Sequence, residues 1–258
     1  MNEFRIQHGT DSASHIPVIW AAPAERLSSE KQNLVIWLTG FTGKKEGMIP
    51  QLEELARAGY TAVSFDLREH GDRTVGSETH PEMRDRVNEE RRLYFWPIIA
   101  MTAEDISRVI DWAVRRFGIA GRILAGGISM GGDIALTAAG IDRRIDGVCA
   151  AIATPDWLRP GSVDPQGESD TYSQLLYDRY DPITNVRRYA HRPWIHFENA
   201  GADSYVPPEA ARRFRELLLA GPYADSPERI GITEHPGLDH GFPPEMWQGC
   251  LAWFRAQV

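Results

Sequence analysis

Short runs of apolar and β-branched residues alternate along the chain with longer stretches whose apolar positions recur every three or four residues. Such alternation predicts an α/β fold: a mostly parallel central sheet flanked by helices. The apolar runs NLVIWLTG (33–40), YTAVSFD (60–66), RILAGG (122–127), GVCAAIA (147–153), RPWIHFENAG (192–201) and RIGITEHPG (229–237) read as strands. Between them, GMIPQLEELARAGY (47–60), WPIIAMTAEDISRVIDWAVRRFG (96–118), GGDIALTAAG (131–140), PEAARRFRELLLAG (208–221) and PEMWQGCLAWFRAQ (244–257) read as helices. Gly59 closes the first of these; the second should start with Pro97 in its first turn and stop at Gly118. FRIQHG (4–9) and PVIWAAP (17–23) fit an antiparallel pair capping one edge of the sheet.

Two stretches break the rhythm: the polar run 67–95 and the aromatic-containing run 154–191. Both exceed the usual connection in a compact α/β domain, so each is a functional loop or a small cap on one domain spanning 1–258, with 154–191 as the cap or lid insertion. Within the first, RDRVNEERR reads as a solvated helical face carrying i,i+4 ion pairs.

Composition narrows the function more than the fold. The chain has 258 residues, 42% of them hydrophobic, and a formal net charge of −8. An acidic chain with no basic patch argues against nucleic acid, because phosphate backbones attract Lys/Arg-rich surfaces. MNEFRIQHGTD lacks the basic and apolar regions of a secretory signal, and no uninterrupted apolar run is long enough to span a bilayer, so no membrane partner and a cytoplasmic location are expected. Cys149 and Cys250, the only cysteines, form no CxxC or Cys/His cluster and read as buried free thiols, with no metal and no cofactor expected.

The candidate chemistry lies in LAGGISMGGDI (124–134), where Gly127-Ile128-Ser129-Met130-Gly131 matches G-x-S-x-G between a strand and a helix. There the serine is held at the carboxyl edge of the sheet, and the glycines let the chain turn sharply enough to present it. A serine hydroxyl needs a histidine to take its proton and a carboxylate to orient that histidine, in the chain order Ser, Asp or Glu, His. His240, in the polar loop GLDHGF, is preferred over His191, His196 and His235; His196 lies inside an apolar strand and reads as a satisfied core residue. Asp203, in NAGADSYVPPE, is preferred over Glu198, which falls within a strand, and Asp239, which adjoins His240. A lone aspartate beside Gly and Ser would otherwise be a turn residue. Donors for the oxyanion are assigned to the Met130 amide and to the Phe41 amide in Gly40-Phe41-Thr42-Gly43.

Together these residues resemble the α/β-hydrolase superfamily, and within it the small bacterial serine carboxylesterases related to dienelactone hydrolases and prolyl-oligopeptidase-like esterases. WLTGFTGKKEG is similar to the family's oxyanion loop, FDLREHGDR to its D-x-R-x-HG segment, GGISMGG to its nucleophile elbow, GADSYVPPE to its acid loop and LDHGF to its histidine loop. Thr39 stands where the family usually has histidine, and Ser129 where dienelactone hydrolases proper have cysteine. The resemblance implies a Ser129-His240-Asp203 triad acting on a small-molecule ester. Thioesterase, lactonase or peptidase activity, and a ligand-binding receptor with little turnover, stay open beside it, as does a homodimer.

Substrate contacts are expected from aromatics of the two excursions and the loops beside the serine: Phe41, Trp96, Trp157 and Tyr205. Tyr172, Tyr177 and Tyr180 line the same stretch and either close a pocket or pack the cap down. Arg68 is expected to anchor its loop on a nearby acid.

Overall fold

In the computed structural model, which describes residues 6–24 and 31–257, the chain opens with a hairpin of β1 (Ile6–Ala13) and β2 (Ile16–Pro23). Phe4 and Arg5 of the expected first strand lie outside the described residues. The hairpin turns on Ser14 and His15, both at positive φ (53° and 70°), with Ala13 paired to Ile16. Positive φ at both central positions is what a two-residue turn needs to match strand twist. With no Gly or Asn there, nothing in the sequence marks it.

The remaining strands are β3 (Leu34–Leu38), β4 (Thr61–Phe65), β5 (Ile123–Ile128), β6 (Gly147–Ala151), β7 (Trp194–Ala200) and β8 (Ile230–His235). They form one sheet in the order β1-β2-β4-β3-β5-β6-β7-β8. β1 and β2 run antiparallel at one edge, and all pairs from β4 to β8 are parallel. Central strands are buried on both faces and alternate between two cores: Leu34, Ile36 and Leu38 enter one, Val35 and Trp37 the other. The second core is closed by α1 (Ile49–Arg57) and α7 (Pro244–Arg255), the first by α3 (Arg91–Phe117), α4 (Met130–Ile141) and α6 (Glu209–Leu219). Among the described residues no helix is long and apolar enough to cross a membrane. Cys149 and Cys250 are buried and unbridged, on β6 and α7.

The helix expected at 96–118 begins six residues earlier in the sequence than its proline, which leaves Pro97 inside α3. A proline in a helix interior lacks one ladder donor and costs stability. Contacts from outside the helix hold its first turns in place. The Arg92 amide donates to the Gln166 carbonyl (3.0 Å), Arg91 pairs with Asp164 (2.7 Å), and the Trp96 indole donates to the Trp157 carbonyl (3.1 Å).

Both excursions acquire structure of their own. The first contains α2 (His80–Glu89), started by a reciprocal capping box between Thr79 and Glu82. Its RDRVNEERR run is not a uniform solvated face: Arg86 reaches back to Glu78 and Glu69, and Arg91 is buried. The second contains α5 (Thr171–Tyr180), capped by Asp170 and Ser173. The Ile183 amide donates to the Pro155 carbonyl, and buried Asp181 accepts from the Trp157 amide, which closes the 154–191 segment at its base.

The loop after β4 is fixed by Asp105 of α3, which takes two hydrogen bonds from Arg68 (2.6 and 2.7 Å) and one from Arg73 (2.6 Å). Asp105 is buried, so removing its charge strands two guanidinium groups. Asp105→Asn is expected to lower unfolding free energy by about 3 kcal/mol in urea titration. A loss under about 0.5 kcal/mol, as for an ordinary surface substitution, would remove this carboxylate from the account.

Candidate active site

Strand β5 ends at Ile128 and α4 begins at Met130, leaving Ser129 to make the turn between them. Ser129 does so with φ 53° and ψ −120°, where a side-chain-bearing residue is strained. None of the four glycines around it has a positive φ. They are there for room. A Cβ on Gly131 would sit 2.5 Å from the Thr39 carbonyl oxygen, one on Gly127 2.6 Å from the Gly131 carbonyl carbon, and one on Gly132 2.5 Å from the Ala153 methyl. The serine therefore takes the strained angles expected of it, and the glycines are small because β3, β5 and α4 approach closely, as their place beside it predicts.

That approach brings the loop after β3 to the serine, since a Cβ on Gly40 would contact the Ser129 Cβ at 3.5 Å. The loop turns through Thr42 (φ 66°), with the Gly43 amide donating to the Gly40 carbonyl (3.0 Å). Thr39 fills the space that a side chain on Gly43 would need, its Oγ1 only 1.9 Å from that position. The loop's far end is tied down by buried Asp66, which accepts from the Lys45 amide (3.0 Å) and the Lys45 ammonium (2.6 Å). Burial works against the charge on Lys45, but hydrogen bonds to Asp66, Asp72 and Glu46 outweigh it and hold the amine above its ordinary pKa. Neither the Phe41 nor the Met130 amide has a hydrogen-bond acceptor among the described residues.

Asp203 follows β7 and is buried. Its Oδ1 accepts from the Tyr205 and Val206 amides (2.9 and 2.8 Å), which makes it the turn aspartate that its neighbours predict. Its Oδ2 lies 2.6 Å from Nδ1 of His240. One carboxylate thus does both jobs. His240 sits on the loop after β8, where its amide donates to Asp239 (2.8 Å). The two loops are laced together by the bonds from Gly201 to His235 (2.9 Å) and from Ala202 to Leu238 (2.8 Å). Glu198 turns elsewhere: inside β7 it bridges His196 (2.9 Å) and His235 (2.7 Å) against Gly249 of α7. His196 is hydrogen-bonded within its strand as expected, but it is half-buried and not a core residue.

Ser129 and His240 line one cleft of about 450 Å³, within the range of small-molecule sites, together with Gly40, Phe41, Phe95 and Tyr205. Among the described residues no hydrogen bond joins Ser129 to His240. Trp96 and Trp157, expected as substrate contacts, are not on its wall. Both are buried, Trp157 within the 154–191 segment and Trp96 against it, where the Trp96 ring stacks on Tyr177 at 4.6 Å and Trp157 packs edge-on against the same ring. Their large apolar faces hold the segment down instead. Tyr180 is also spent on packing, its hydroxyl donating to Glu104. Phe41 sits on the cleft wall and packs edge-on against Phe95 and His70.

Sequence reading missed Arg91, Phe95 and Arg159, which also line the cleft. Arg159, held at φ 45° in the 154–191 segment, pairs with Asp133 of α4 at 2.6 Å, and both side chains are buried. Burial raises the pKa of Asp133 against the opposing pull of Arg159 and the Thr154 amide. Arg91 is lowered to about 10, first by burial and then by repulsion from Arg159. A signal for Asp133 existed: it is the one charge in an apolar helix, four residues past the serine. Arg91 carried none, because its neighbours are all charged.

The family described as alpha/beta hydrolase fold matches residues 33–185, and the chain belongs to it. "Putative esterase YitV" of Bacillus subtilis (strain 168) is 26% identical over 239 residues, covering 87% of this chain and 89% of that protein. Among solved structures, TT1662 from Thermus thermophilus superposes with a TM-score of 0.76 at 22% identity, over 98% of each chain. A Putative Dienelactone Hydrolase from Klebsiella pneumoniae subsp. pneumoniae MGH 78578 gives 0.70 at 21% identity, over 98% of this chain and all (100%) of that one. At those identities the structures share the fold with this chain.

Behind Phe41, the buried ring of His70 makes a bond from Nδ1 to the Arg68 carbonyl (2.7 Å), while its Nε2 is buried without a partner. Burial lowers its pKa below the ordinary 6.5, so below that pH the unfolded chain takes up a proton the folded chain refuses. Stability should therefore fall as pH drops from about 7.5 to 5.5, with His70 contributing at most about 1.4 kcal/mol per unit. His70→Asn, whose amide reproduces the Nδ1 donor, should flatten that slope in urea titrations. An unchanged slope would show that the ring takes up its proton as readily in the fold as in the unfolded chain.

Proposed function

We propose that this protein is a serine hydrolase of carboxylic esters, with Ser129 as nucleophile, His240 as general base and acid, and Asp203 as its orienting carboxylate. The observation that carries this reading is the pairing of a strained, cleft-facing serine with a histidine whose Nδ1 is held 2.6 Å from a buried aspartate. With Oδ1 of Asp203 occupied by two backbone amides, Oδ2 is left for the ring. It fixes the tautomer with the proton on Nδ1 and leaves Nε2 free to accept one.

In this reading, Ser129 Oγ attacks the ester carbonyl as Nε2 of His240 takes its proton. The contact tightens when substrate closes the cleft, as catalytic hydrogen bonds commonly do. Negative charge developing on the carbonyl oxygen is met by the Phe41 and Met130 amides, which have no acceptor among the described residues. The imidazolium then protonates the leaving alcohol, and water repeats the sequence on the acyl-enzyme. The likeness to the Bacillus protein, whose name says esterase, supports an ester as substrate. Phe41 and Tyr205 supply apolar and aromatic walls beside the reacting atoms.

On phenyl acetate, Ser129→Ala is expected to lower kcat by about 10⁴- to 10⁶-fold, and Asp203→Asn by about 10⁴-fold through loss of the correct tautomer. Phenol release measures both. Full activity in Ser129→Ala would end the proposal.

A further inference from the structure

The cleft holds cationic donors that ester hydrolysis as such does not use. Arg159 is buried, lines the cleft, and makes a single side-chain hydrogen bond, from Nη2 to Asp133 Oδ2. Its Nε and Nη1 have no acceptor among the described residues. Arg91 is buried on the same wall, engaged through Nη2 with Asn88 (3.1 Å) and Asp164 (2.7 Å), and its Nε lacks a partner altogether. Both guanidinium carbons lie over the ring of Phe95, at 4.9 and 5.0 Å. A guanidinium offers five donors in a fixed fork suited to a carboxylate. Two such forks line one cleft with donors unused, and the Arg91 Nε, buried with no acceptor among the described residues, is costly unless something accepts from it.

Their position relative to the reacting serine is set by covalent geometry. Asp133 lies four residues after Ser129, the residue that caps α4, which is about 6 Å along the axis. Arg159, fixed to Asp133, is therefore held a short chain's length from the nucleophile. Arg159 takes a positive φ to get there, a strain that surrounding structure must sustain. Asp133 lies behind the guanidinium, fully buried, and Asp164 lies beside Arg91; these carboxylates hold the forks without filling their remaining donors.

We infer that Arg159, assisted by Arg91, forms an anion subsite, and that the favoured substrates are esters whose far end, a few carbons from the scissile carbonyl, carries a carboxylate. This inference rests on the hydrolase reading for the word substrate, but the subsite itself does not.

Two measurements separate the two. In calorimetric titration of Ser129→Ala, glutarate is expected to bind at least about 10-fold more tightly than glutaramide, since a site built for charged hydrogen bonds rejects the isostere lacking them. With the wild-type chain, phenyl hydrogen glutarate should exceed methyl phenyl glutarate in kcat/KM by a similar factor, mainly through KM. Both preferences should vanish when Arg159→Met is combined with Asp133→Leu, which removes the buried pair together rather than stranding the carboxylate. They should shrink in Arg91→Gln, which tests the same wall should the double replacement not fold. Glutarate selectivity without hydrolysis of either ester would keep the subsite and sink the hydrolase reading. Hydrolysis of both esters at equal efficiency with no glutarate selectivity would overturn the subsite, as would a preference that survives both sets of replacements.

Discussion

Between the carboxyl end of β3 and the first turn of α4 there is no room for a methyl group. The carbonyls of Leu38 and Thr39 stand 2.6 and 2.5 Å from where a Cβ on Gly131 would be. Because the strand and the helix meet at this distance, the turn between β5 and α4 is left to a single residue, and that residue takes up the strain. The same contact draws Gly40 and Phe41 alongside Ser129. A wider junction would separate the hydroxyl from the loop that lines the same cleft through Gly40 and Phe41. The Asp66–Lys45 pair holds the outer end of that loop, and Asp105 with Arg68 and Arg73 holds the next one, so the cleft floor is fixed from two directions.

The other wall is built differently. Apolar burial presses the 154–191 segment down through Trp96, Trp157 and Tyr177, whereas a buried ion pair sets its register, with Arg159 reaching Asp133 on the helix that begins at the serine. A buried pair is a poor source of net stability, since desolvating both charges offsets most of their attraction. Its value here is positional: it couples the 154–191 segment to the helix that begins beside Ser129. The aspartate at 203 shows a similar economy, with one oxygen closing a local turn and the other holding the His240 ring.

Much of this was legible in the sequence. Central strands announced themselves as continuous apolar runs because both faces are buried, and Gly118 marked a helix end that it does form, at φ 68°. The serine was visible because close approach demands glycine, and glycine is conspicuous. Asp203 and His240 were singled out by loop position and chain order, and the structure brings their side chains together. What stayed hidden depended on tertiary contact. Pro97 hid the first turns of α3 because their support comes from residues 157–166, far along the chain. Trp96 and Trp157 looked like cleft aromatics because sequence does not say which side of a segment a ring faces. Arg91, in a run of charges, looked solvated for the same reason.

The central claim is that the serine, the imidazole and two backbone amides address one substrate carbonyl, and a crystal structure of the chain reacted with a fluorophosphonate tests it most directly. The account predicts phosphorus bonded to Ser129 Oγ, with its oxygen about 2.7–3.1 Å from both the Phe41 and Met130 nitrogens and Nε2 of His240 turned toward the adduct. An adduct on another residue, or a phosphonyl oxygen directed away from those amides, would contradict it.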